Sequence, residues 1–383
     1  MKQPGTVQLS EEALRIHRDA LVLDGHNDLP DRIRSRGYLS LEGFSLEDPP
    51  CGFQTDIPRL RKGGVDAQVW VAFVPPEFMR SGEAARVCFE QIDLIHRLLD
   101  KHSGTLELAL TAGDIEQISG GGKIASLIGV EGGHAIEDSL VLLNEFYRLG
   151  ARYMTLTHND TTTWADSSYD RERNGGLSPF GREVVREMNR LGMLVDVSHA
   201  SDRTVWDALE TSGAPVIASH SSARTLCGVR RNLTDELISA IGGSGGIVMV
   251  NLFPVFLVPD GVAIETMFFE KSMELKSMDL SPAEYKKAMD AFEKKRPPLP
   301  RCPVEVVADH LEQIIRVAGI DHVGIGSDFD GIPFGPDQVP DVSGFPYITQ
   351  TLMDRGYGEQ EIRNVLGGNF LRVLREAEKC REH

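Results

Sequence analysis

Short runs of apolar, mostly β-branched residues recur along the chain, and turn residues bound most of them. Helical patterns separate most of these runs, an alternation that predicts βαβ units and a parallel sheet. Eight strands alternating with helices over this length favour a (β/α)8 TIM-type barrel, an α/β fold, over two open sheets. The predicted strands are Leu21–Asp24, Val65–Val74, Ile124–Val130, Arg152–Leu156, Met193–Val197, Pro215–Ala218, Ile247–Val250 and His322–Ile325.

Residues 260–300 interrupt this alternation. The segment is rich in Lys, Glu and Met and contains one predicted helix, Pro282–Lys295, after the seventh strand. We therefore expect a single barrel domain over residues 1–383 with an inserted helical segment at about 260–300. The insertion is either a lid over the barrel or, as we favour at this stage, a solvated excursion.

Composition narrows the choice of partners. The 57 acidic residues outnumber the 40 basic ones and give a net charge of -17, which argues against binding to nucleic acid or anionic lipid. The five cysteines are scattered and form no CxxC pair, so neither a thiolate zinc site nor a disulfide framework is expected. The chain shows neither a secretory signal nor an apolar run long enough to span a bilayer. We expect a cytoplasmic protein with small-molecule partners and no membrane contact.

Most of the predicted strands end in residues that bind metals or transfer protons. In a parallel barrel these ends lie on one rim, so residues about 300 positions apart converge there. One such histidine alone would be an ordinary loop or core residue, but four histidines and three acidic residues from separate strand ends predict a metal site. The strand ends concerned are Asp24–Asp28, Glu131–His134, Thr157–Asp160, Ser198–His199, Ser219–His220 and Ser327–Asp330.

His26 and Asp28 form an HxD pair, whose nitrogen and oxygen donors suit zinc or a similar divalent ion. Together with Glu131, His199 and His220 they provide enough donors for two metals if one carboxylate bridges the ions. Two metals about 3.5–4 Å apart hold a hydroxide between them and polarise a carbonyl group, so hydrolysis is the expected reaction class. No serine or cysteine occupies a GxSxG elbow, so a nucleophilic mechanism has little support.

Seven motifs, in order from residue 24 to residue 331, resemble those of the renal (membrane) dipeptidase family, zinc peptidases of the amidohydrolase superfamily. The resemblance implies a barrel enzyme that hydrolyses dipeptides by means of a metal-bridging hydroxide, and a homodimer. The motifs are DGHNDLP (Asp24–Pro30), GVEGGHAIED (Gly129–Asp138), LTHND (Leu156–Asp160), LVDVSHAS (Leu194–Ser201), PVIASHSSAR (Pro215–Arg224), RRNLTD (Arg230–Asp235) and HVGIGSDFDG (His322–Gly331).

The resemblance also implies which residues bind the metals, namely two Zn²⁺ ions per chain. His26, Asp28 and Glu131 would bind one ion, and Glu131, His199 and His220 would bind the other. Glu131 would then be the bridging carboxylate, in the place that a carboxylated lysine takes in many amidohydrolases.

Three further roles are implied by the resemblance. His158 would bind the substrate and stabilise the tetrahedral oxyanion, and Asp328 would accept a proton from the bridging water. Arg231 would bind the substrate carboxylate, although Arg230 beside it leaves this assignment open by one position. The structural alternatives are a hydrogen bond on the rim for His158, a helix N-cap for Asp328 and a surface cation for Arg231.

Other functions remain open at this stage. A related zinc amidohydrolase could act on N-acyl amino acids or β-lactams, because a carboxylate-binding arginine does not distinguish these from dipeptides. A non-catalytic metal-binding protein is a third alternative, but it would have no need for His158 and Asp328. We also expect His134 and Asp330, near the same rim, to hydrogen-bond to metal ligands.

The chain departs from the mammalian members of this family in two ways. Cys227 matches a cysteine that is disulfide-bonded there, but the next cysteine in this chain is Cys302. No apolar tail for a lipid anchor is present at the end of the sequence. These features suggest a soluble microbial relative.

Overall fold

The computed structural model describes residues 6–278 and 280–381. Residues 1–5, 279, 382 and 383 therefore lie outside the described part of the expected 1–383 domain. The described residues form nine strands: β1 Leu23–Asn27, β2 Ala67–Phe73, β3 Leu106–Leu108, β4 Ile124–Glu131, β5 Ala151–Thr155, β6 Leu194–Asp196, β7 Val216–Ala218, β8 Ile247–Val250 and β9 Val323–Ile325.

Eight of these strands form the predicted barrel. They are parallel and follow one another in the order β1-β2-β4-β5-β6-β7-β8-β9. A backbone bridge between Asn27 and Phe329 joins the two ends of this sheet, so the barrel is nearly closed. The ninth strand, β3, pairs with the first residues of β4, before β4 reaches β5. Sequence analysis missed β3 because three residues are too few to show an alternating pattern.

Helices alternate with these strands on the outside of the barrel. They are α1 Glu11–Asp19, α2 Leu29–Ser35, α3 Ile57–Lys62, α4 Glu77–Ser81, α5 Ala84–Lys101, α6 Ala112–Gly120, α7 Leu140–Arg148, α8 Pro179–Leu191, α9 Asp202–Thr211, α10 Asp235–Gly243, α11 Gly261–Lys276, α12 Pro282–Glu293, α13 Glu305–Ala318, α14 Phe345–Asp354, α15 Glu359–Arg363 and α16 Asn369–Lys379. None of the helices in the described residues is long and apolar enough to cross a membrane.

The core has two layers. Inward-facing side chains such as Val69, Leu127, Tyr153 and Met249 fill the barrel itself. A larger apolar layer lies between the sheet and the surrounding helices. The filled interior makes the barrel a rigid support rather than a pore, so chemistry is restricted to the loops at its rim.

The segment between β8 and α13 contains α11 and α12. The second of these covers most of the predicted Pro282–Lys295, whereas α11 was not predicted because its apolar residues do not fall on one face. At the end of α11 the Lys276 ammonium lies 2.6 Å from a carboxylate oxygen of Asp160, in the loop after β5. The insertion thus contacts the rim of the barrel.

A buried carboxylate ties the two ends of the sheet together. Asp24 on β1 accepts hydrogen bonds from the Ser327 amide at 2.8 Å and the Ser327 hydroxyl at 2.6 Å, just after β9. It also accepts one from the Gln68 side chain of β2 at 2.9 Å. Asp24 is fully buried, so no solvent replaces these bonds if the carboxylate is lost.

We predict that Asp24→Ala lowers the free energy of unfolding by at least about 3 kcal/mol, because several buried donors lose their acceptor and each costs about 1–3 kcal/mol. Urea unfolding followed by circular dichroism measures the change. Ser327→Ala serves as the control, since it removes one hydroxyl and should cost about 1 kcal/mol. Equal losses in the two variants would show that Asp24 is not the main tie between the sheet ends.

Candidate metal centre

The structure brings all five predicted metal ligands together at the carboxyl end of the barrel. His26 lies in β1, which reaches three residues beyond its predicted end, and Glu131 is the last residue of β4. His199 and His220 follow β6 and β7, and Asp28 begins the turn into α2. Their side chains are almost completely buried.

Glu131 lies between two groups of ligands. One of its oxygens, Oε1, is 3.0 Å from Nε2 of His199 and 3.3 Å from Nε2 of His220. The other oxygen, Oε2, is 3.6 Å from Nε2 of His26, which is also 3.6 Å from Asp28 Oδ2. Each oxygen of a single carboxylate therefore faces a different set of ligand atoms.

Hydrogen bonds on the outer side of the rings define the protonation of two of the histidines. Tyr153 donates its hydroxyl hydrogen to the Gly25 carbonyl, so it accepts the 2.9 Å bond from Nδ1 of His26. Ser219 donates to Asp196 at 2.7 Å and thus accepts the 2.8 Å bond from Nδ1 of His220. In the neutral rings, Nε2 therefore carries a lone pair rather than a hydrogen.

His199 has the same orientation. Its Nδ1 lies 3.0 Å from the side-chain oxygen of Asn159, which can only accept a hydrogen bond. Its Nε2 lone pair consequently points at Nε2 of His220, 3.0 Å away. Two lone pairs and an anionic oxygen in such close contact repel one another unless a cation lies among them.

The donor set fits divalent metal ions. Ligand atoms that are each about 2.0–2.1 Å from a tetrahedral ion lie about 3.3 Å from one another, which matches the separations around both oxygens of Glu131. His26 Nε2 and Asp28 Oδ1 are buried and have no hydrogen-bond partner among the described residues. Clusters with ion-binding geometry include His26–Glu131–His220, Glu131–His158–His199 and His26–Asp28–Asp328.

The electrostatics of the histidines agree with this arrangement. Burial lowers the pKa values of His199 and His220 well below the usual range, with smaller contributions from neighbouring positive groups. Burial also acts against charge on His26, but Glu131 and Asp28 outweigh it and hold its pKa well above the usual value. The carboxylates that attract a proton to His26 attract a divalent cation to the same nitrogen.

A carboxyl pair lies beside the metal ligands. Burial, with repulsion from Asp28, raises the pKa of Asp328 to about 7, and burial raises the pKa of Asp28 to about 6. Asn251 donates a 2.7 Å hydrogen bond to Oδ2 of Asp328, and the Asp328 and Asp28 side chains share a hydrogen bond. Asp328 can therefore take up or release a proton near neutral pH.

The backbone near the centre adopts unusual conformations to present these groups. His199 and Asp328 have φ values of 66° and 64°, in the left-handed region that few non-glycine residues occupy. Gly331 allows the Asp28–Asp328 pair to approach, because a Cβ at this position would lie 2.2 Å from Asp28 and 2.7 Å from Asp328. The structural alternative of a helix N-cap does not fit Asp328, because no helix of the described residues begins beside it.

His158 lies against the centre, with its ring 4.4 Å from the ring of His199 and 4.6 Å from that of Phe73, measured between centroids. Burial lowers its pKa well below the usual value, with smaller contributions from His134 and Arg231. Its Nδ1 is buried with no hydrogen-bond partner among the described residues. His158 is thus a neutral imidazole with an unused polar atom beside the ligands.

The structure distinguishes between the two neighbouring arginines. Arg231 is 3% exposed and donates to the Ser221 hydroxyl at 2.6 Å and the His220 carbonyl at 2.8 Å. Its Nε is buried without a partner among the described residues. Arg230 instead forms a 2.9 Å ion pair with Glu265 and lies over the ring of Phe269. Arg231, rather than Arg230, has a free donor at the centre.

Sequence analysis missed the residues that orient the histidines. Tyr153, Asn159 and Ser219 hold the three rings, and Asp196 in turn holds Ser219. The one sequence feature that could have indicated such a residue was Asp196, an aspartate inside an apolar strand.

The residues predicted for this supporting role behave differently. Asp330 accepts a 2.9 Å hydrogen bond from the Gln54 amide and forms none with a metal ligand. His134 forms no hydrogen bond with any of the five ligands in the described residues either. The expectation that these two residues hydrogen-bond to metal ligands was therefore wrong, because the bonds that Asp330 forms go to Gln54 and Thr55 and neither ring nitrogen of His134 bonds to a ligand among the described residues.

Comparisons with known proteins support the resemblance seen in the motifs. Residues 10–383 match the family described as membrane dipeptidase, peptidase family M19. The chain is 39% identical over 380 residues to dipeptidase 3 of Rattus norvegicus, an alignment that covers 98% of this chain and 69% of that protein. It is 38% identical over 384 residues to dipeptidase 3 of Homo sapiens, covering 99% and 70%.

Solved structures of similar proteins share the barrel. A dipeptidase described as a metallopeptidase of family M19 superimposes with a TM-score of 0.77 at 26% identity, covering 94% of this chain and 98% of that one. A metallopeptidase from Rhodobacter sphaeroides, liganded with a phosphinate mimic of the dipeptide L-Ala-D-Ala, also gives 0.77 at 26%, covering 94% and 100%. The chain belongs to the membrane dipeptidase family, M19, and is a metallopeptidase with the activity of a dipeptidase.

Proposed function

We propose that this dipeptidase is a binuclear zinc enzyme. The observation that carries the proposal is the position of Glu131, whose two oxygens face separate sets of histidine lone pairs. His26, Asp28 and Glu131 would hold one ion, and Glu131, His199 and His220 the other. Imidazole nitrogen and carboxylate oxygen donors suit zinc, which the resemblance of the motifs also implies. A homodimer in the cytoplasm, which the sequence analysis anticipates, stays a prediction.

Two bound ions would supply Lewis acidity toward the scissile carbonyl and a nucleophile at neutral pH. The protein's own groups act around them. Arg231 binds the terminal carboxylate of the dipeptide through its free Nε and the adjacent guanidinium donors. His158, kept neutral by burial, donates a hydrogen bond to the oxygen on which negative charge develops. Asp328 accepts a proton at Oδ1, the oxygen that Asn251 does not occupy.

We further propose that the enzyme accepts a D-residue at the C-terminal position of the dipeptide. The related metallopeptidase from Rhodobacter sphaeroides, which binds a mimic of L-Ala-D-Ala, supports this proposal. The nucleophile attacks the carbonyl group of the first residue. A change of configuration at the second residue therefore redirects the side chain of that residue but moves the reacting atoms less.

We predict close to two zinc ions per chain in the active enzyme, measured by elemental analysis, and loss of activity with a strong chelator. Glu131→Gln should lower occupancy of both sites together, whereas His26→Ala should leave about one ion. His96→Ala is the control, because His96 lies on α5 and bonds to the Leu149 carbonyl away from the centre. One ion in a fully active preparation would contradict the two-metal proposal.

We predict that Arg231→Met raises KM for dipeptides at least tenfold and changes kcat less, because a carboxylate contact acts equally in the ground and transition states. A charge-assisted hydrogen bond of about 1.5–3 kcal/mol corresponds to at least that factor. Arg230→Met is the matched control and should have little effect, since Arg230 pairs with Glu265. The Arg231 variant should also leave a C-terminally amidated dipeptide almost unaffected. An equal loss for both substrates would mean that the carboxylate is bound elsewhere.

We predict that Gly-Ala and Ala-D-Ala are hydrolysed, while kcat/KM for Gly-Ala-Ala is at least tenfold lower. The reason is that Arg231 sets the distance between the terminal carboxylate and the reacting carbonyl, so a third residue forfeits this contact. Product analysis by chromatography measures all three substrates, with N-acetyl-alanine as a test of the alternative amidohydrolase activity. Comparable turnover of the tripeptide would refute the proposal that Arg231 limits the length of the substrate.

A further inference from the structure

A pocket of about 250 Å³ lies above His158, between the barrel and the insertion. The barrel contributes His158 and Tyr169, and the insertion contributes Phe268 of α11 together with Tyr285 and Met289 of α12. Sites for drug-sized ligands are typically roughly 300–1,000 Å³, so this pocket suits a single side chain rather than a whole peptide. We refer to it as the α11–α12 pocket.

Most of the polar groups that border the α11–α12 pocket are already paired. Ser272 and Tyr285 share a 2.9 Å hydrogen bond between their hydroxyls. Asp160 is held by Lys276, and the Asn159 side chain by His199. Glu77 and Arg80 of α4 also line the pocket, and Arg80 lies 3.8 Å from Asp160. The insertion wall, by contrast, offers a ligand the aromatic and thioether surface of Phe268, Tyr285 and Met289, which favours an apolar or aromatic group.

Lys276 fastens the insertion to the catalytic rim. Its ammonium group lies 2.6 Å from Asp160 and 3.2 Å from Asp170, and it donates to the Asn159 carbonyl at 3.4 Å. The Lys276 side chain is only 10% exposed, so solvent screens this ion pair little. The same loop carries His158 and places Asn159 on His199. The position of α11 is thus coupled to both the pocket wall and the metal centre.

Tyr169 connects the pocket to the proposed carboxylate site. It lines the α11–α12 pocket, and it interacts electrostatically with Arg231 and Glu265. A dipeptide with its carboxylate at Arg231 and its scissile carbonyl near His158 would have its C-terminal residue between these two groups. We therefore expect the side chain of that residue to extend toward Tyr169 and the α11–α12 pocket.

We infer that the α11–α12 pocket is the subsite for the side chain of the C-terminal residue, that it selects apolar and aromatic side chains, and that Lys276 is the positioning residue that keeps its insertion wall in place. This inference rests on the proposed dipeptide binding mode. It makes the insertion, rather than the barrel, the determinant of side-chain preference at that position.

Filling the pocket tests the subsite. Met289→Trp should lower kcat/KM for Gly-Phe at least tenfold more than for Gly-Gly, and Phe-Gly should follow Gly-Gly. Met289→Ala provides a second variant that enlarges the pocket and should not discriminate against Gly-Phe in this way. Lys287→Trp is the matched control, since Lys287 is exposed on the same helix, and it should change none of the three substrates.

Releasing the insertion tests Lys276. Lys276→Met should raise KM for Gly-Phe at least fivefold while kcat changes less, and Lys276→Arg should restore most of the loss. Hydrogen exchange in α11 and α12 should become faster in Lys276→Met but not in the control Lys287→Met. Faster exchange without any change in KM would show that Lys276 only stabilises the fold and would overturn its positioning role.

The outcomes separate this inference from the proposed function. If the wild-type enzyme loaded with zinc hydrolyses neither Gly-Gly nor Gly-Phe, both the dipeptide binding mode and the subsite are refuted. If it hydrolyses both, and Met289→Trp reduces them equally or affects Phe-Gly instead, the subsite assignment alone is overturned.

Discussion

The arrangement of this site depends on the burial of one carboxylate among histidine lone pairs. Glu131 has almost no access to water, and Nε2 atoms of three histidines point toward its two oxygens. The neutral rings of His199 and His220 cannot donate a hydrogen to Oε1 of Glu131 while their Nδ1 atoms keep their own hydrogen bonds. Cations resolve the conflict, which explains why a cluster that is unfavourable for protein atoms alone is consistent with a metallopeptidase.

Hydrogen bonds outside the cluster create the conflict in the first place. Tyr153 and Ser219 accept from the outer nitrogens of His26 and His220, and Asp196 holds Ser219 from the next strand. These bonds select the tautomer as well as the ring orientation, so they prepare the site for ions before any ion arrives. The backbone at His199 is strained, because this residue adopts a left-handed conformation.

The barrel and the insertion have different roles: the barrel positions the metal ligands, and the insertion forms part of the pocket wall. The nearly closed sheet, tied together at Asp24, holds ligands on and just after β1, β4, β6 and β7 at fixed separations, as metal binding demands. The insertion is attached to this frame at the rim by an ion pair of Lys276. The side chains of α12, which provide none of the metal ligands, can change without replacing any ligand. Loops on rigid barrels serve this purpose generally, because the chemistry and the preference for a substrate then depend on different elements.

The sequence by itself determined the barrel and the residues that meet at its rim. Apolar runs report strands because burial on both faces of a parallel sheet requires them, and polar residues directly after such runs must lie on one edge. It could not reveal β3, which is too short for a pattern, or α11, whose apolar residues follow no single face. The motifs alone indicated the family, because the order of motifs along a chain can be read without knowing any distance in the structure.

Only the tertiary structure decided which atoms face one another. Arg230 and Arg231 are equivalent in sequence, but a carboxylate from α11 pairs with the first and leaves the second buried at the centre. Likewise, Tyr153 and Asn159 support metal ligands while His134 and Asp330 do not, although all four follow or lie in rim strands. The physical reason is that hydrogen bonds and ion pairs require donor–acceptor separations of about 3 Å, held to within a few tenths of an ångström, between residues far apart in the chain. Periodicity and composition do not encode such distances.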